Sequence, residues 1–126
     1  MTLGVLRESY CICRLDAGEL PDWSRAEAVE FLSLTRTHDE VSVVCPAHVP
    51  PPDVRTRSDG WRCLRVDGPL DLALTGILLR LLRPLAAAGC AVFTVSTYDT
   101  DYLLVKQIDL PRALDALRAA GYVVHD

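Results

Sequence analysis

The 126-residue sequence has no run of basic residues, no Cys-x-x-Cys pair, no glycine-rich phosphate loop and few aromatic residues. Each absence removes a class of function. Thirteen Lys and Arg stand against seventeen Asp and Glu, a formal net charge of -4, so the electrostatic footprint of a nucleic-acid binder is missing. The longest apolar stretch, 77–82 with its neighbours, is interrupted by Arg80 and Arg83 and falls far short of the ~20 residues that cross a bilayer. MTLGVLRESY has no charged segment followed by a long apolar one, so no signal peptide is expected. The expected partners therefore include neither nucleic acid nor membrane.

Cysteine is present but badly spaced for chemistry. The five thiols are an odd number. Cys11 and Cys13 share one face of an expected strand, and Cys45, Cys63 and Cys90 stand isolated among apolar neighbours. All five are expected to be buried as small hydrophobes, with no metal site, because the usual ligand spacing is absent. Unpaired thiols fit a reducing, cytoplasmic location. His38, His48 and His125 have no Ser or Cys at an informative spacing. No catalytic residue, no cofactor and no enzymatic activity are expected.

Half the residues are hydrophobic, enough to build a core. WRCLRV (61–66) alternates apolar and charged residues as a half-buried strand does. GPLD then breaks the strand, and a helix is expected to begin near 71–75 and to stop at Gly89, a natural C-terminal cap. AVFTVST (91–97) and DYLLVK (101–106) are the next strands. Asp109 marks a helix N-cap with Pro111 in the first turn, where its missing N–H is harmless. That helix closes on Gly121 and a short strand over 122–124 follows. The order is βαββαβ, the α+β ferredoxin-like arrangement. An RNA binder of that fold needs exposed aromatics and a basic surface, which this chain lacks.

The N-terminal half has the same order in incomplete form: a strand over 10–15, a helical piece over 24–29, and a hairpin of 31–35 with 41–45. Residues 46–60, with four of the eight prolines, cannot continue a helix and are expected to be a connector in its place. The expected domains are 1–58, an incomplete unit with its connector, and 59–126, a complete one. Two features suggest that the second unit does not stand alone. AVFTVST is uncharged, free of proline and at a sheet edge, which invites pairing and a homodimer. The helix over 76–88 carries Ile77, Leu78, Leu79, Leu81, Leu82 and Leu85, more apolar surface than one sheet covers. Pro84 lies inside that helix, and a kink is expected there.

The stretch from VDGPLDLALTGILL through AGCAVFTVSTYDTDYLLV to DALRAAGYVV, with the earlier EFLSLTRTHDEVSVVCP, resembles the ACT domain, the small-molecule sensing module of amino-acid metabolism. It is more closely similar to small bacterial double-ACT proteins related to the aspartate kinase regulatory region and to the animal cytosolic arginine sensor. The resemblance implies two units side by side through their edge strands, each an antiparallel sheet with helices on one face, and an effector at the interface between units. It implies walls formed by 68–76 and 97–101, with Asp71, Leu72, Ala73, Leu74, Thr75, Gly76, Thr97, Tyr98, Asp99 and Asp101 as ligand-binding candidates.

The physics of that placement is sound, since a helix start offers N–H groups to a carboxylate. Asp101 matches the acidic position that meets a basic side chain in the arginine sensor. Asp71 is either a helix cap or a ligand for an ammonium group. Asp99 is either a turn residue or a ligand contact, and Asp101 either shapes the hairpin or binds. Thr97 and Tyr98 either line the pocket or pack the strand end. The implied function is a non-catalytic, amino-acid-binding regulatory protein that reports to a protein partner. The alternative is a structural ACT module for oligomerisation or partner binding, without a small-molecule ligand.

Overall fold

The computed structural model describes residues 1–22, 29–52, 54, 56–71 and 73–126. In chain order these form strands β1 (Thr2–Asp16), β2 (Ser33–Arg36), β3 (Glu40–Pro46) and β4 (Thr56–Val66), helix α1 (Ile77–Ala87), strands β5 (Val92–Ser96) and β6 (Asp101–Lys106), a 3-10 turn (Gln107–Asp109), helix α2 (Leu110–Ala119) and strand β7 (Val123–His125). The chain divides into two compact units: Met1–Arg7 together with Trp61–Asp126, and Glu8–Gly60.

The first unit is α+β, a mainly antiparallel sheet carrying two helices on one face. Its strands lie in the order β7, β1, β4, β6, β5. β6 pairs antiparallel with β4, Trp61 opposite Lys106, and with β5, Ser96 opposite Asp101. Side chains alternate across a strand, so Leu64, Val66, Leu103 and Val105 point to one face. There they share a buried cluster with Ile77, Leu81 and Leu85 of α1 and Ala113, Leu114 and Leu117 of α2. The three α1 residues recur at i, i+4 and i+8, one stripe of a helix. The apolar excess expected on α1 divides three ways: Leu82 packs half-buried against the same cluster, Leu78 faces a cavity, and Leu79 is 58% exposed.

The strand order holds a feature the sequence does not announce. β1 enters this sheet between β7 and β4, running parallel to β7 with Thr2 opposite Val123 and Gly4 opposite His125. Leu3 is fully buried in the cluster, and the Thr2 carbonyl accepts the Asp67 N–H at 2.8 Å. Where the sequence places a boundary near residue 58 and a first strand at 10–15, the compact unit also takes residues 1–7. Gly4 and the short TLGVLR pattern carry too weak an alternation to mark the strand.

Pro84 sits inside α1 as expected, and the helix is continuous through it. A proline at 84 leaves the carbonyl of residue 80 without its usual N–H donor. The Tyr122 hydroxyl donates to the Arg80 carbonyl at 3.1 Å instead. Tyr122→Phe is therefore expected to lower stability by about 1 kcal/mol. In a Pro84→Ala background, where residue 84 regains its N–H, most of that loss should disappear. Urea unfolding of the four proteins measures the coupling; an equal loss in both backgrounds would show that the hydroxyl acts elsewhere.

α2 begins as its sequence predicts, with Asp109 at the N-cap and proline in the first turn. The Asp109 carboxylate bonds the Arg112 guanidinium at 2.9 Å rather than a backbone N–H. Gly89 and Gly121 follow the two helices at φ of 75° and 96°, a conformation glycine adopts without strain.

In the second unit, β3 pairs antiparallel with both β1 and β2. The β2–β3 hairpin is closed by Thr37, whose Oγ1 accepts the N–H groups of Asp39 and Glu40 at 3.2 and 3.1 Å. The expected helical piece over 24–29 falls mostly on residues outside those described. The connector is shorter than expected, because β4 already begins at Thr56. The polar run TRSD gives no apolar alternation from which to read a strand. The core of this unit is Cys11, Cys13, Leu15, Val41, Val43 and Cys45. Hydrogen bonds from Cys45 and Cys13 pull the Cys11 thiol down to about 6. Burial pushes Cys13 up to about 12, and the bond to Cys11 pushes Cys45 up as well.

Candidate functional site

Two loops of the first unit, the β4–α1 connection and the β5–β6 turn, are held against each other by short contacts. The Leu70 N–H donates to the Asp99 carbonyl at 2.6 Å. Thr100, 3% exposed, donates its hydroxyl to the Val66 carbonyl at 2.6 Å. The approach is tight at Gly68, where an added Cβ would meet the Asp99 carbonyl oxygen at 3.1 Å and the Leu70 nitrogen at 3.1 Å.

Within each loop, polar side chains set the backbone. Asp71 Oδ1 accepts the Ala73 N–H at 2.9 Å, and the Asp71 carbonyl accepts the Leu74 N–H at 3.0 Å. This is an Asx turn. It corrects the expectation that Asp71 caps a helix starting there, because α1 starts at Ile77 and its N-cap is Gly76 at φ 75°. Glycine has no side chain to cap with, and the first turn holds no acidic residue. In the other loop, Thr97 and Thr100 close a turn: the Thr97 N–H donates to the Thr100 carbonyl at 2.8 Å, and Thr97 Oγ1 accepts the Thr100 N–H at 3.3 Å. Tyr98, 80% exposed, and Asp99 occupy its tip.

Between the loops lies an open cavity of about 240 Å³. Of the candidates named from sequence, Asp71, Leu74, Gly76, Thr97, Tyr98, Asp99 and Asp101 line it. Ala73 and Thr75 are exposed in the same loop but do not line it, and Leu72 lies outside the described residues. The lining also includes Leu70, Ile77, Leu78, Ser96 and Thr100. Ser96 was legible in principle, as the strand–turn–strand pattern STYDTD puts it opposite Asp101. Its Oγ donates to Asp101 Oδ1 at 2.6 Å.

The charge of the lining is one-sided. Among the described residues it carries three carboxylates, from Asp71, Asp99 and Asp101, and no Lys, Arg or His. It also includes Gly76 and Ile77, the start of a helix without a side-chain cap, where N–H groups and the helix dipole favour an anion. Such an arrangement can hold a small molecule that is anionic at one end and cationic at the other.

Residues 56–119 match a family model described as an ACT domain. A second model, for an N-terminal domain, matches residues 8–53. Among curated proteins, subunit 1 of the cytosolic arginine sensor for mTORC1 from Mus musculus is 28% identical over 98 residues, 72% of this chain and 30% of the mouse protein. The Bos taurus protein of that name is 27% identical over 100 residues, 74% of this chain and 30% of its own length. The chain thus spans under a third of these relatives. A crystal structure of an Agobacterium tumefaciens protein is 43% identical, with a TM-score of 0.86, covering 98% of this chain and 90% of that one. The ligand-free regulatory subunit of aspartate kinase from Thermus thermophilus shares the fold at 10% identity, with a TM-score of 0.61 and coverage of 94% and 97%.

Proposed function

We propose a sensing role for this chain, which belongs to the ACT domain family. Its cavity binds a free amino acid with a cationic side chain, and the protein passes the occupancy on to a protein partner without performing chemistry itself. The observation that carries this reading is the lining: among the described residues, three carboxylates, no cation, and a helix start with no side-chain cap around about 240 Å³. That volume lies below the roughly 300–1,000 Å³ of drug-sized sites. An α-carboxylate would sit on the N–H groups at Gly76 and Ile77, and an ammonium or guanidinium group among the aspartates. The arginine-sensing relatives add support for a cationic ligand. Among the described residues, no helix is long and apolar enough to cross a membrane.

Thermal unfolding in the presence of each amino acid at millimolar concentration tests the proposal. A ligand at 100 times its dissociation constant adds about 2.7 kcal/mol, which for a chain of this length raises the Tm by roughly 8–16 °C. Arginine or lysine should give that shift, and the neutral amino acids little or none. A flat response to all twenty would favour the structural ACT module instead, with the Tyr98–Asp99 tip as a turn and nothing more.

A further inference from the structure

Cys11, Cys13 and Cys45 meet in the unit Glu8–Gly60, whereas the residues lining the cavity belong to the other unit. Cys11 Sγ lies 3.6 Å from Cys13 Sγ and 3.6 Å from Cys45 Sγ, and all three sulfurs fall within 4.8 Å of one another. The sheet produces this convergence. Cys11 and Cys13 are two apart on β1 and so point the same way, while the β1–β3 register sets Cys45 directly opposite Cys11. All three are at most 1% exposed, among Leu15, Val41 and Val43.

We propose that these three thiols form a three-coordinate, all-sulfur site for one soft, thiophilic metal ion. A metal–sulfur bond of ~2.3 Å sets its sulfurs about 3.8–4.0 Å apart in tetrahedral or trigonal geometry, close to the spacing already present. The ligands stand on two paired strands, so little ordering remains to be done on binding. Thiolates select Cu(I), zinc and iron–sulfur clusters. A structural zinc takes four ligands, and among the described residues no fourth Cys, His, Asp or Glu joins this sealed cluster. Cu(I) accepts three sulfurs and is the ion that fits. As each copper–sulfur bond forms, a thiol gives its proton to solvent and no electron changes hands.

The test is anaerobic titration of the reduced, full-length chain with Cu(I) in competition with a chromophoric Cu(I) chelator, followed by X-ray absorption of the loaded protein. The protein should withdraw one equivalent and show sulfur ligands alone, three to the metal. Cys13→Ala and Cys45→Ala should weaken binding beyond the ~10–100-fold that loss of an outer partner brings, whereas Cys63→Ala and Cys90→Ala, outside the cluster, leave it unchanged. No withdrawal by the unaltered protein, nitrogen or oxygen ligands in the absorption spectrum, or full binding by Cys13→Ala would overturn the proposal. The stoichiometry and coordination number of the unaltered protein decide the matter even if a cluster variant does not fold.

Discussion

Asp101→Asn should keep the fold and weaken binding of a cationic amino acid by about 10- to 150-fold. A hydrogen bond to a charged partner contributes about 1.5–3 kcal/mol, and each 1.4 kcal/mol is about a tenfold change in affinity. The substitution isolates charge from shape. Asparagine keeps a side-chain oxygen for the Ser96 hydroxyl, which now donates to Asp101 at 2.6 Å, so the Tm without ligand should stay close to that of the parent. Calorimetric titration with arginine and lysine reads the loss directly. Equal affinity in the variant and the parent would remove Asp101 from the site and return it to the hairpin.

Gly68→Ala should cause a larger disturbance, in stability and in binding together. Its new Cβ would lie 3.1 Å from the Asp99 carbonyl oxygen, 3.1 Å from the Leu70 nitrogen and 3.2 Å from Thr100 Cβ. Two of these atoms are backbone and cannot swing aside, so the 2.6 Å bond between Leu70 and Asp99 must lengthen or open. Overpacking of this kind costs about 1–3 kcal/mol, or roughly 3–6 °C in Tm per kcal/mol for a chain of this size. Since the two loops form the cavity walls, the response to ligand should fall as well. Gly4→Ala is the control, because nothing lies within 4 Å of a Cβ added there. A Tm change at position 68 no larger than that at position 4 would show that the close approach is not needed.

The parts of the fold legible in the sequence are those governed by neighbours in the chain. DYLLVK gave the bounds of β6, and Asp109, Pro111 and Gly121 framed α2, because alternation and capping act over a few residues. The walls of the cavity came from the family resemblance rather than from any local pattern, and seven of the candidates it implied line one cavity. The start of α1 was not legible, because Asp71 had two local bonds open to it and took the Asx turn. The strand at residues 2–7 and the meeting of three cysteines depend on pairing between distant segments. Cys45 stands opposite Cys11 through strand register, which no spacing rule contains.

The parallel pairing of residues 2–4 with residues 123–125 also orders events in time. On the ribosome, Leu3 is made long before Val124, a member of the same buried cluster. The sheet of that unit cannot close until residues 123–125 have emerged. Contacts so far apart in sequence make for slow closure, and the apolar side chain of Leu3 stays without its buried neighbours until then.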